Sequence, residues 1–159
     1  MSFNQRGWIP SLTALFGIII MVAYAYFSGR ANGPHGLAEA RALWEANKPA
    51  DYQYVIQISC FCPEEYTQPV NVQVQNGYYF SAEGELSVSE TYIAQYGSVE
   101  AIFDVIDKAY QDGADEVNVE YDPNFGVPLR FSIDPMKDAL DDQMSAEITD
   151  FRISAVEGE

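Results

Sequence analysis

Hydrophobic and polar positions alternate along Tyr52–Cys62, with Tyr52, Tyr54, Ile56, Ile58, Cys60 and Cys62 on one side and Gln53, Val55, Gln57, Ser59 and Phe61 on the other. A period of two is the signature of a half-buried strand. Val70, Val72 and Val74 repeat it against Asn71, Gln73 and Gln75, and Asn76-Gly77 then leads into Tyr78-Tyr79-Phe80. Asn-Gly between alternating runs predicts a hairpin with a tight turn. Val117, Val119 and Tyr121, then Leu129, Phe131 and Ile133, give a second hairpin across Asp122–Pro128. A last strand is expected over about 146–155, where Ile148 falls out of step with Phe151 and Ile153, as a β-bulge would require.

Two stretches change period. Leu37, Ala40 and Trp44 share a face of a helix from Leu37 to about Asn47, which Lys48-Pro49 ends. Ser98 is placed to cap a second helix running to about Gln111, with Ile102, Phe103, Ile106, Ala109 and Tyr110 inward and Gly113 as its stop. Residues 83–97 read as an acidic, mobile loop, and 137–143 as one helical turn. The order is helix, three strands, helix, three strands. It predicts an α+β domain, an antiparallel sheet with two helices packed on one face and a polar face opposite.

Before this domain, Trp8–Phe27 contains no charge. As a helix it would be about 30 Å long, the thickness of a bilayer's hydrocarbon core. Trp8 at one end and Tyr24, Tyr26 and Phe27 at the other suit the two membrane interfaces. Residues 1–28 are therefore expected to be a transmembrane anchor in the lipid bilayer, 29–36 a glycine- and proline-broken linker, and 37–159 the folded domain. A cleaved signal peptide is the competing interpretation, with Ala23-Tyr24-Ala25 as its small-x-small site.

Charge follows the same division. Residues 1–30 hold Arg6 and Arg30 and no acid, whereas residues 31–159 set six basic residues against all 24 acids, a balance of −18. Such a domain repels phosphate backbones, so nucleic acid is excluded as a partner. The same field would draw a basic protein partner. The flanking positive charges do not fix orientation; long acidic domains translocate largely regardless of them. The expected placement is a bacterial inner membrane with the N-terminus cytoplasmic and the domain in the periplasm.

Candidate chemistry is sparse. His35, the single histidine, lies in the linker, far from the domain's core. Two cysteines and one distant histidine cannot close a tetrahedral metal site, so neither metal nor cofactor is expected. The acidic clusters at Asp112–Glu116 and Asp138–Asp142 lack the EF-hand spacing. Cys60 and Cys62 would point to one face with Cα atoms about 6.6 Å apart on a regular strand. Buried thiols, a disulfide with local distortion of the strand, and a redox or metal role all remain open. Asp122-Pro123 and Gly126 favour a rigid turn, and Phe125 at its tip must fold back or meet a partner. Tyr121, Asp122, Pro123, Phe125, Gly126, Pro128 and Asp134 are the candidate interface.

At these residues the chain resembles a family of uncharacterised bacterial domains, usually exported or lipid-anchored. The likeness spans roughly residues 37–153. It is carried by Cys60-x-Cys62, the Val72-x-Val74-x-Asn76-Gly77 hairpin, Ile102-Phe103-Asp104-x-Ile106, Tyr121-Asp122-Pro123-x-Phe125-Gly126-x-Pro128, and Ile133-Asp134 followed by Asp141-Asp142. The chain departs from that pattern at Phe125, where Tyr is common, at Val127, where an aromatic is common, and at Gln143, where an acid often follows the Asp pair. The resemblance implies an exported fold and carries no catalytic residue.

The expected function is non-enzymatic, an accessory or scaffolding subunit of a larger membrane protein complex. Two alternatives stand beside it. One is a cell-envelope binding domain for a small ligand, a cation or a basic protein. The other is a redox-active thiol protein working through Cys60 and Cys62.

Overall fold

The computed structural model describes residues 33–83 and 89–154. Six strands form one antiparallel sheet: β1 Tyr52–Cys60, β2 Val70–Gln75, β3 Tyr78–Glu83, β4 Glu116–Tyr121, β5 Pro128–Asp134 and β6 Met144–Ile153. Their spatial order is β3-β2-β1-β6-β5-β4. The first and last strands thus pair at the centre, and each outer half is completed by a hairpin. Asn76 and Gly77 both have positive φ, 51° and 76°, as the primed turn of a two-residue hairpin requires.

Three helices supply the apolar layer: α1 Pro34–Asn47, α2 Glu90–Tyr96 and α3 Val99–Asp112. In α3, Val99, Ile102, Phe103, Ile106 and Ala109 are buried, a continuous stripe at helical spacing, while Tyr110 is only half-buried. Ser98 caps its first turn by accepting from the Ala101 N–H at 3.1 Å, and Gly113 closes it in the left-handed region. The inward residues Tyr52, Tyr54, Ile56, Val72, Phe131 and Ile148 meet Leu37, Trp44 and Phe103 in one cluster.

Glu100 ties this layer together. It accepts from the Trp44 indole at 3.0 Å, from Lys48 Nζ at 3.1 Å and from the Tyr52 hydroxyl at 3.2 Å. Burial acts to raise its pKa, but the indole and ammonium donors outweigh it and hold the carboxyl below its ordinary range. Burial pushes the Tyr52 hydroxyl up, so it remains a donor.

Several expectations need correction. The described residues hold three helices, not two: α2 falls within 83–97, expected to be loop. Its local signals are Ser89, whose hydroxyl accepts from the Tyr92 N–H at 3.2 Å, and the buried pair Tyr92 and Tyr96 one turn apart. α1 begins at Pro34, inside the expected linker, because proline suits a first helical turn. His35 is therefore an exposed helix residue. Residues 137–143 hold no helix; one turn there is closed by the Ala139 N–H donating to the Met136 carbonyl. Strand β1 stops at Cys60, not Cys62. The last strand starts at Met144, and its register shift lies where Asp150 and Phe151 together oppose Tyr54, with Asp150 at φ 52°. The anchor expected at residues 8–27, including Trp8, Tyr24, Tyr26 and Phe27, lies outside the described residues. Among the described residues no helix is long and apolar enough to cross a membrane.

Candidate functional site

The loop joining β4 to β5 is held from inside. Oδ1 of Asp122 accepts from the N–H groups of Asn124 and Phe125, at 2.9 and 2.6 Å. The Gly126 N–H returns to the Asp122 carbonyl, and the Asp122 N–H donates to the Val127 carbonyl, both at 2.8 Å. This is an Asx turn, which satisfies orphan donors at a tight bend. Gly126, at φ 76°, lies so close to α1 that a Cβ would strike the Ala40 carbonyl. Phe125 packs on Phe151, ring centroids 5.8 Å apart, and Tyr121 stacks on Phe103 at 6.3 Å. Val127 and Pro128 are buried, leaving Pro123 and Asn124 exposed.

The candidate residues therefore divide. Tyr121, Asp122, Phe125, Gly126 and Pro128 come together as one clasp, seated on α3 through Tyr121, on β6 through Phe125 and on α1 through Gly126. Asp134 does not join them. It pairs across the hairpin with Glu116 at the other end of β5 and accepts from Gln143 Nε2 at 3.2 Å. There it lines an open cleft of about 590 Å³ with Glu116, Asp141, Phe61 and Leu140. Among the described residues no three His, Cys, Asp or Glu side chains are grouped to hold a metal ion.

Cys60 and Cys62 are joined in a disulfide with Cα atoms 5.3 Å apart, shorter than a regular strand allows, because the chain bends after β1. The bridge forms part of the wall of a groove of about 440 Å³ that also touches Tyr66, α2 and Met144.

The exposed surface offers two unlike sheet edges. On β4, Glu116 and Glu120 face solvent, and Arg130 on the neighbouring β5 reaches Glu120 at 3.4 Å and Glu147 at 2.6 Å. Charge of this kind guards an edge against pairing with another chain. On β3, Tyr78, at 78%, and Phe80, at 59%, are exposed. Pairing jumps from Ser81 to Tyr79 opposite Gln73 and Val74, so Phe80 is the extra residue of a bulge. Behind this edge, the outer face of β1 and β2 presents Gln53, Gln57, Asn71, Gln73 and Gln75, all uncharged. Nothing in the alternation of Tyr78-Tyr79-Phe80 separates these aromatics from core residues. A bulge puts Phe80 out of the simple pattern, and Tyr78 faces solvent because it pairs with exposed Gln75 on the polar side of the sheet.

No curated protein and no solved structure matches the chain. A family profile matches residues 36–153, the whole described fold from the first turn of α1 to the end of β6. The chain belongs to that family, a family of unknown function (DUF6174).

Proposed function

We propose that the chain is a non-enzymatic, single-pass membrane protein that serves as an accessory or scaffolding subunit of a larger membrane complex. Residues 8–27 would hold it in a bacterial inner membrane, with the domain on the periplasmic side. The observation that carries this reading is the β3 edge. Among the described residues no strand pairs with its open side, and Tyr78 and Phe80 on this strand are exposed.

Tyrosine and phenylalanine are enriched at protein interfaces because each offers a large contact area at little entropic cost. An edge strand adds main-chain hydrogen bonds, so an extended segment of a partner subunit can continue the sheet. The domain's balance of −18 selects a basic partner and speeds its approach at low salt.

The test is purification of the intact chain from its native membrane, side by side with the Tyr78→Ser/Phe80→Ser double variant. The partner is expected to accompany the parent chain and be lost from the variant, whose unfolding midpoint is unchanged. A parent chain that emerges as a clean monomer, or a variant that keeps its partner, contradicts the proposal.

A further inference from the structure

Large apolar side chains left in water are not confined to β3. Phe61, 83% exposed, follows the end of β1, and Leu140, 98% exposed, stands in the turn between β5 and β6. Both line the open cleft of about 590 Å³ that also holds Glu116, Asp134 and Asp141. Strand order sets its two flanks. β6 lies between β1 and β5, so Phe61 stands on one side, and Asp134 on β5 and Glu116 on β4 stand on the other. Between them the floor is Ser59, Ser145 and Ser132, paired side by side across three strands. Such small side chains let another main chain approach the sheet. The three strand spacings from β1 to β4 cover roughly 14 Å, the length of about four extended residues.

The charge of the cleft has one sign. Among the described residues its lining holds three carboxylates and no lysine or arginine, and Lys137 reaches Glu116 from outside the lining at 3.3 Å. Asp134 accepts from Gln143, whereas Glu116 and Asp141 are exposed. Small-molecule sites bury most of their ligand. A cleft whose rim side chains stay more than four-fifths exposed encloses little, and suits a protein segment that covers the rim as it docks. Charge complementarity then selects a basic segment. Arginine fits best, because its guanidinium both pairs with a carboxylate and stacks on an aromatic ring.

We infer that this cleft docks an extended, arginine-containing segment of a partner protein, with apolar side chains on Phe61 and Leu140 and guanidinium groups on Glu116 and Asp141. The β3 edge lies beyond β1 and β2 in the sheet order, so either surface can fail without the other.

The test uses the full chain in zwitterionic lipid nanodiscs, with empty nanodiscs as the blank. Labelled peptides are read by fluorescence anisotropy: acetyl-Leu-Leu-Gly-Arg-Arg-amide, and its counterparts with Ser-Ser for Leu-Leu or Glu-Glu for Arg-Arg. The first is expected to bind saturably, about tenfold more tightly than either counterpart. Phe61→Ser with Leu140→Ser should weaken it about tenfold and leave the Ser-Ser peptide unchanged. Glu116→Gln with Asp141→Asn should weaken both arginine peptides about three- to tenfold. Glu39→Gln with Glu90→Gln, the same change of charge on the helix layer, should leave them unchanged. All four cleft positions are exposed, so these variants should keep the parent's unfolding midpoint. No saturable binding, indifference to the Phe61 and Leu140 substitutions, or an equal loss from the Glu39 and Glu90 substitutions overturns the inference. So does binding of acetylarginine amide as tight as that of the pentapeptide, which means a small organic cation. Loss of binding on Tyr78→Ser with Phe80→Ser also overturns it, since the peptide then sits on the β3 edge.

Discussion

The two hairpins of this sheet carry similar aromatic content and put it to opposite use. The β4–β5 hairpin has the denser motif, yet its Tyr121 and Phe125 turn inward, and its loop is held from within by Asp122 and seated against α1 at Gly126. The β2–β3 hairpin has an ordinary Asn-Gly turn and presents Tyr78 and Phe80 to solvent. A run of special turn residues reports backbone that must be held. It does not report a surface that must be met. The interface candidate is better sought where large apolar side chains stay exposed at an edge without local structural cause.

The largest effect expected from this contrast is at Gly126. Gly126→Ala meets both a left-handed backbone and the Ala40 carbonyl, and should cost at least about 2 kcal/mol in denaturant unfolding. A cost near zero would free the loop from its structural role. Next comes the core that both hairpins share. Trp44→Phe removes the indole donor to Glu100 and should cost about 1–3 kcal/mol. The folded-state pKa of Glu100 lies below the unfolded value near 4.5. Its contribution is thus complete above that value and disappears as pH falls through the folded one. Acid titration of stability should be steeper in the parent chain than in Glu100→Gln; identical acid limbs would remove Glu100 from the account.

A smaller effect is expected at Asp122. Asp122→Ala releases two backbone donors at once and should lose about 1 kcal/mol, read from the same unfolding curves. The smallest belongs to the open edge. Tyr78→Ser with Phe80→Ser should change stability by no more than about 0.5 kcal/mol, since both side chains face water. A large loss there would make the exposed aromatics structural and dissolve the difference between the hairpins.

Much of the fold was legible because period-two and helical spacing are direct consequences of burial on one side. The six strands, the Ser98 cap and the stripe from Ile102 to Ala109 all follow from it. Helix α2 was not, because seven residues with two inward tyrosines give too short a pattern to stand out from the polar stretch around them. The cysteines were legible as a pair but not as a bridge, since the bend after Cys60 that closes their Cα distance is absent from a regular strand. The clasp residues were visible as a turn; their inward packing depended on α1, α3 and β6, three elements outside the hairpin. The β3 edge was invisible for a related reason. Strand order, which decides what is left uncovered, is a property of the whole sheet.

The docking edge is tested most directly by a photo-crosslinking side chain placed at Phe80 and, separately, at the exposed Asn124, each in the full chain in its native membrane. The proposed docking predicts one adduct of defined mass from position 80, abolished by Tyr78→Ser, and none from position 124. An adduct from position 124, or none from position 80, would contradict it.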